Sequence, residues 1–223
     1  MQRSLPIAAL LALSASGFVA HAAPPQAGFD CAKASTGLEQ AICADPDTAA
    51  ADRAMMVAYN AMMARQGQAA FNAAIQADQR AFLAIRREAW DIARNRGMAL
   101  TRLRDETERR AEWLNWITPA KPDSLTGTWS NAWGILKITQ SDRGRVTLDA
   151  NVADQVAGTW LCGFAGDLAA EGPTEAVGYT VEADLVLRRS GPVLEVPVDF
   201  CDETGPPING SMKGVYFKIG AED

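Results

Sequence analysis

Three carboxylates beside a cysteine are the residues in this sequence whose types and spacing could most directly do chemistry. Asp199, Asp202 and Glu203 surround Cys201, and glycoside hydrolysis needs only a pair of carboxyl groups. Such clusters are also common on solvated loops, and catalysis requires a cleft that separates the two pKa values. We therefore predict no catalytic residue and keep a cell-wall glycosidase only as an alternative.

Other catalytic chemistry is limited by the single histidine, His21. It lies in a segment typical of a secretory signal peptide: Arg3 precedes a long uncharged run, and Ala20-His21-Ala22 predicts cleavage after Ala22. Without residues 1–22 the chain would have no histidine, which excludes a histidine-activated nucleophile and a histidine-ligated zinc. We predict no metal, no cofactor and no transmembrane segment, and a location in the periplasm or outside the cell.

Four cysteines, an even number, suit an oxidising compartment, and two disulfides are predicted. Three pairings are possible. The two halves of the chain differ so much that Cys31 with Cys43 and Cys162 with Cys201 is favoured.

From Thr36 to Ile117 apolar side chains recur at helical spacing, which predicts a helical hairpin or small bundle within a domain of residues 23–118. Thr36 and Glu39 have capping-box spacing, and Asp45-Pro46 supplies an N-cap and a first-turn proline for the next helix. A third helix is expected to end near Arg94. The predicted inward residues are Ala51, Met55, Tyr59, Met62, Phe71, Ile75, Phe82, Ile85, Leu103, Ala111, Leu114 and Ile117.

Beyond a predicted linker at residues 119–124, short β-branched or aromatic runs alternate with turns. About seven or eight strands within residues 125–223 fit a small antiparallel β-barrel or sandwich. The predicted strands are 127–130, 135–139, 146–152, 158–164, 177–181, 185–189, 193–198 and 212–219. The predicted fold class is α+β in two domains, a disulfide-clasped helical bundle followed by the β domain.

Charge divides along the same boundary. Residues 23–124 hold 13 basic and 13 acidic side chains, whereas residues 125–223 hold 7 and 14. In the helical half, Glu106 and Arg110 are four residues apart and are expected to form an outward ion pair. The acidic β half would attract a cationic partner, or simply keep an exported protein soluble. It disfavours nucleic acid.

Four segments of the helical half carry a resemblance to a known family. They are Phe-Asp-Cys-Ala-Lys at residues 29–33, Glu-Gln-Ala-Ile-Cys at 39–43, the Asp45-Pro46 helix start and Gln-Arg-Ala-Phe-Leu at 79–83. Together they resemble the LprI-like lysozyme-inhibitor N-terminal family over residues 29 to about 115. The resemblance implies a helical envelope module associated with lysozyme inhibition.

The sequence departs from that family after the last segment. Members usually have a second cysteine pair there, whereas this chain continues Arg-Arg-Glu-Ala-Trp at residues 86–90. Packing of Trp90, Trp113 and Trp116 is expected to replace the missing clasp.

A second resemblance lies in the β half. The segment Asn209-Gly210-Ser211-Met212-Lys213-Gly214 is similar to the loops with which barrel-type lysozyme inhibitors place a serine and a lysine in the lysozyme cleft. This implies that Ser211 and Lys213 contact a partner, with Lys213 between the two carboxylates of the enzyme. The alternative is that Gly210 and Gly214 frame a turn into the last strand.

Three tryptophans lie in or beside the β segments: Trp129, Trp133 and Trp160. Large aromatics there either fill a core or stack on sugars and anchor partners. Trp133, next to Gly134, is predicted to be the most exposed and joins the candidate partner-binding residues. Two functions remain open: a lysozyme-inhibitor-like protein that binds a basic lysozyme or another cationic envelope protein, and a cell-envelope ligand- or glycan-binding module.

Overall fold

The computed structural model of the protein describes residues 26–66, 69–118, 124–179, 184–198, 200–201 and 210–220. The predicted signal peptide and residues 119–123 of the predicted linker lie outside this part of the chain. A 3-10 turn at Cys31–Lys33 precedes the helices. These are α1 (Gly37–Ala44), α2 (Pro46–Gln66), α3 (Ala69–Ile92) and α4 (Arg96–Trp116).

Local side chains fix where the helices begin. Thr36 Oγ1 accepts a hydrogen bond from the Glu39 amide at 3.2 Å, and Glu39 accepts one from the Thr36 amide at 2.9 Å, so the predicted capping box forms. Asp45 accepts from the Thr48 amide at 2.8 Å before α2, and Asn95 from the Met98 amide at 3.1 Å before α4. Each cap satisfies an amide that has no partner within its helix.

A disulfide between Cys31 and Cys43 ties the entering chain to α1. Beneath it, Leu38 and Ile42 of α1 pack with Ala49 and Leu103 in a small buried cluster. The clasp therefore joins the N-terminal segment to α1, and α1 packs on the bundle through two apolar side chains.

Eight strands follow α4 in the described part of the chain, all antiparallel to their neighbours. They are β1 (Gly127–Ser130), β2 (Gly134–Gln140), β3 (Val146–Ala153), β4 (Leu161–Ala170), β5 (Glu175–Tyr179), β6 (Asp184–Ser190), β7 (Val193–Val196) and β8 (Gly214–Ile219). Because β1 also pairs with β8, the sheet closes into a barrel. The two-domain α+β prediction is confirmed, and the β domain is a barrel and not a sandwich.

Side-chain alternation fills the barrel. In β2, Leu136 and Ile138 are buried while Ile135, Lys137 and Thr139 are exposed. The same alternation in other strands sends a set of apolar side chains into one core: Trp129, Leu136, Ile138, Leu148, Leu185, Leu187, Leu194 and Tyr216. A second disulfide, Cys162–Cys201, joins β4 to the segment after β7.

The outer face of β8 docks on the helices. Phe217 is fully buried and meets Phe71 and Trp113 edge-on, with ring centroids 5.6 and 5.7 Å apart. Ile117, just after α4, forms a β-bridge with Ile219. The two domains thus share an apolar contact. In the described part of the chain no helix is both long and apolar enough to cross a membrane.

Candidate functional site

A groove runs between α2 and α3 in the helical domain. Met55, Met56, Tyr59 and Leu83 line a cavity of about 460 Å³. Met56 and Leu83 remain partly exposed, at 38% and 37%. A groove of this size and apolar character is able to accept a side chain or a small ligand.

The groove has a charged floor. Arg86 Nη1 of α3 lies 2.7 Å from Asp52 Oδ1 of α2, and both side chains are less than a tenth exposed. Asp52 also accepts from the Gly28 amide at 3.0 Å, and Arg86 donates to Thr107 Oγ1 at 3.3 Å. The pair therefore connects the N-terminal segment, α2, α3 and α4.

A second buried ion pair joins α3 to α4. Arg110 Nη2 lies 2.7 Å from Asp78 Oδ2, and its Nε donates to Gln79 Oε1 at 2.9 Å. The guanidinium also lies over the Trp113 ring, 4.0 Å from its centroid. Burial lowers the pKa of Arg110, and the charge of Asp78 opposes that shift.

The expected outward pair of Glu106 with Arg110 is therefore wrong. Arg110 lies on the buried stripe of α4, seven residues after Leu103 and four before Leu114. It pairs with Asp78 because only a carboxylate within the bundle can compensate its charge there. Glu106 pairs instead with Arg102, at 2.5 Å.

Asp78 extends this network to the barrel. Its Oδ1 accepts a hydrogen bond from the Ala132 amide in the β1–β2 turn at 2.8 Å. A second polar contact is nearby, where Arg102 of α4 donates to the Gln155 carbonyl at 2.6 Å. One end of the barrel is thus held against α3 and α4, and we call it the helix-facing end.

The predicted partner-binding residues lie at this helix-facing end. Trp133 and Trp160 have ring centroids 6.0 Å apart and an interplanar angle of 37°. Gly210 crosses Trp160 so closely that a Cβ at that position would lie 2.4 Å from the ring. Glycine is therefore required at 210 by a contact, beyond the turn role that its sequence predicts.

Ser211 and Lys213 follow Gly210 in a segment anchored from both sides. The buried Met212 donates its amide to the Phe200 carbonyl at 2.9 Å, and its own carbonyl accepts from Tyr216 Oη at 2.6 Å. Ser211 Oγ accepts from the Lys213 amide at 3.0 Å. The Lys213 side chain is exposed. The structure thus brings Trp133, Ser211 and Lys213 to one end of the barrel.

A neighbouring loop is shaped by Asp154. Its carboxylate accepts from the Thr159 hydroxyl at 2.6 Å and from the Val156 and Thr159 amides at 2.9 and 3.1 Å. These hydrogen bonds, that of the Thr159 hydroxyl first, hold the pKa of Asp154 well below its usual range. The Asp154 carboxylate therefore stabilises the loop that precedes Trp160.

The tryptophans occupy different environments. Trp129 is fully buried in the barrel core, and its indole donates to the Leu125 carbonyl at 2.8 Å, so it cannot meet a sugar. Trp133 and Trp160 are half-buried. In the helical half, Trp113 packs on the barrel, Trp90 packs beside the α1 cluster, and Trp116 is 56% exposed. Trp90 and Trp113 therefore pack in different clusters, and Trp116 adds little buried contact in place of the missing clasp.

Asp199, Asp202 and Glu203 lie outside the described residues, so the geometry of the acidic cluster is not given by the structure. Within the described ranges, no group of three or more metal-binding side chains comes together.

Burial of four charged side chains was not predicted from the sequence: Asp52, Asp78, Arg86 and Arg110. Each has a position on or beside an apolar stripe, as with Asp78, three residues after Ile75. A charged residue on such a stripe was the available signal for an internal ion pair.

Comparisons with known proteins bear on the helical half. A family model described as "Lysozyme inhibitor LprI" matches residues 31–114. Comparisons with curated proteins and with solved structures gave no match. The matched residues contain the disulfide clasp, the α2–α3 groove and both buried ion pairs. The helical half of this chain is therefore similar to lysozyme inhibitor LprI over residues 31–114, as its motifs predicted.

Proposed function

We propose that this chain is an exported, lysozyme-inhibitor-like binding protein without catalytic activity of its own. The observation that carries the proposal is the match of residues 31–114 to the LprI family model. The uncharged run before Ala20-His21-Ala22 supports export, as do two disulfides, which persist in oxidising compartments.

Electrostatics support a basic lysozyme as the partner. The β half has 14 acidic and 7 basic side chains. A field of that sign accelerates encounter with a cationic enzyme and is weakened by salt. The enzyme cleft itself is negative, because glycoside hydrolysis uses two carboxylates. An acidic domain that presents a cation at the contact suits both features.

Lys213 is the cation that we assign to this contact. Its side chain is exposed, while its backbone is held through Met212 to Phe200 and Tyr216. A rigid backbone reduces the entropy lost when a side chain inserts into a partner. Trp133, at the same end, supplies the aromatic surface typical of interface hot spots.

A lysis assay tests the proposal. The oxidised chain of residues 23–223 should slow the clearing of a cell-wall suspension by a basic lysozyme, and added salt should weaken that effect. K213A should raise the concentration needed by about ten-fold, equivalent to about 1.4 kcal/mol of binding free energy. The matched control is R143A, because Arg143 is exposed in the β2–β3 turn at the opposite end of the barrel. Undisturbed lysis at micromolar protein contradicts the proposal.

The half-buried pair of Trp133 and Trp160 favours a second candidate, a glycan-binding module. Two indoles tilted by 37° at the barrel end offer stacking surface for sugar rings. Titration with soluble peptidoglycan fragments, followed by tryptophan fluorescence, tests it. A saturating change that W133A removes would favour this candidate, and an unchanged spectrum excludes it.

A further inference from the structure

We propose that the barrel end opposite the helix-facing end binds a compact oxyanion, a carboxylate or phosphate group of a ligand, on the amine of Lys218. The site is independent of the lysozyme proposal. It lies where β1 begins and where β2 and β8 end.

Lys218 is a largely buried lysine at the end of an apolar barrel, and it lines the cavity there. It is only 7% exposed, and it lies directly opposite Trp129 in the β1–β8 pairing, on the side of the sheet that faces the core. Lysine is seldom buried unless it is paired. Arg86 and Arg110, the buried arginines of the helical domain, each contact a carboxylate at 2.7 Å.

Lys218 has no such carboxylate partner among the described residues. Its amine makes no hydrogen bond or ion pair with any residue in the described ranges. Asp149, the acidic residue in register with Lys137 across β2 and β3, is exposed on the outer face of the sheet. A largely buried lysine that has no counter-ion among the described residues is a position where a bound anion gains free energy.

The backbone at Gly127 makes room for the lysine to reach the barrel end. Gly127 has φ +133°, a conformation that favours glycine, and a Cβ there would lie 2.7 Å from Lys218 Cε. Any other residue at 127 would strain the backbone and displace the end of the lysine side chain. The absence of a side chain at the first residue of β1 therefore leaves the space that the lysine of β8 occupies.

The cavity at this end has the donors that an oxyanion needs. About 370 Å³ in volume, it is lined by Lys218, Lys137 and the hydroxyl-bearing residues Ser124, Thr126 and Thr128. Arg189 adds a third basic residue nearby, since its Nη1 donates to the Ser124 carbonyl at 3.1 Å. Two of the basic residues of an acidic domain, Lys137 and Lys218, thus line one opening, which is large enough for a small anionic ligand.

Titration of the full chain of residues 23–223 tests the site. The probes are sodium phosphate and sodium acetate, each replacing sodium chloride at constant ionic strength, and the signals are the NMR amide shifts of Gly127 and Thr128. We expect at least one anion to saturate in the low millimolar range. Which anion saturates identifies the class of oxyanion. Shifts of the wild-type protein that stay linear for both anions overturn the proposal.

Variants locate the binding. K218M preserves the length of the side chain and removes its charge, so it should weaken the saturating anion by at least about ten-fold, which is about 1.4 kcal/mol. K137M should weaken it by a smaller factor, and K213M, at the other end of the barrel, should leave it unchanged. Glu222 and Asp223 follow this end in the sequence and lie outside the described residues. E222Q/D223N should bind the anion at least as tightly as the wild type. Saturation that persists unchanged in K218M overturns the assignment.

Discussion

The two domains handle charge in opposite ways. The helical half is formally neutral and places two arginine–aspartate pairs inside its bundle, each with a 2.7 Å contact. The barrel is acidic, yet its core is almost wholly apolar, with Lys218 as its one buried charge among the described residues. The net charge of a domain therefore says little about whether its charged side chains are buried or exposed. A neutral domain can depend on internal ion pairs, whereas an acidic one can leave its charges in water.

The largest predicted loss of stability comes from breaking a buried ion pair of the helical domain. D78A should lower the free energy of unfolding by about 3–5 kcal/mol, because it leaves the Arg110 charge buried without a partner. It also removes the acceptor for the Ala132 amide. Urea unfolding followed by circular dichroism measures the loss. D78L/R110M, which removes both charges, should recover most of it, and a loss under about 1 kcal/mol in D78A would show that the pair is not a structural element.

Each domain has one disulfide. The disulfide that closes the longer loop should contribute more to the free energy of unfolding. The bridges span 39 residues in the barrel and 12 in the helical half. The loop-entropy relation gives about 4 kcal/mol for loss of Cys162–Cys201 and about 3 kcal/mol for loss of Cys31–Cys43. Urea midpoints of the two double-serine variants, measured with the wild type, provide the test. The opposite order would mean that native packing around the clasp outweighs loop length.

An exposed ion pair on the barrel should contribute far less to the free energy of unfolding than the buried pairs do. Arg145 and Asp167 are 3.2 Å apart, but their side chains are 69% and 56% exposed. D167N should therefore cost less than about 1 kcal/mol. It is the matched control for D78A in the same unfolding experiment. A loss equal to that of D78A would remove the distinction between buried and exposed pairs on which the comparison depends.

The smallest predicted effect is the loss of stability in acid from the capping contact at the start of α1. Hydrogen bonds from the Thr36 and Ser35 amides lower the pKa of Glu39 from 4.5 to about 2. Because the folded-state pKa is the lower one, the stability from this contact is complete above pH 4.5. It is lost as the pH falls towards 2. The difference in unfolding free energy between wild type and E39Q should shrink over this range, and a constant difference would contradict the assignment.

Sequence patterns that act locally predicted the fold well. The capping box at Thr36 and Glu39 and the Asp45-Pro46 helix start both fall where the structure has them. The first strand was predicted at its observed bounds of Gly127–Ser130. Such features depend on neighbouring residues, which a single sequence displays.

Features that depend on distant residues were less accessible. Strand β4 was predicted at residues 158–164 but runs over Leu161–Ala170, because the Asp154 loop delays its start and its second half is rich in alanine and glycine. Closure of the barrel needs β1 to meet β8 across most of the domain, which no local pattern encodes. The partners of Arg86 and Arg110 lie 34 and 32 residues away, so the identity of these partners could not be inferred from helix periodicity alone.

The most direct test of the proposed function is an equilibrium titration of the oxidised chain of residues 23–223 with a basic lysozyme, at low and at high salt. We predict a saturating complex with micromolar or tighter affinity that weakens with salt and loses affinity in K213A but not in R143A. No heat or signal of binding at low salt, with a folded and oxidised protein, would contradict the account.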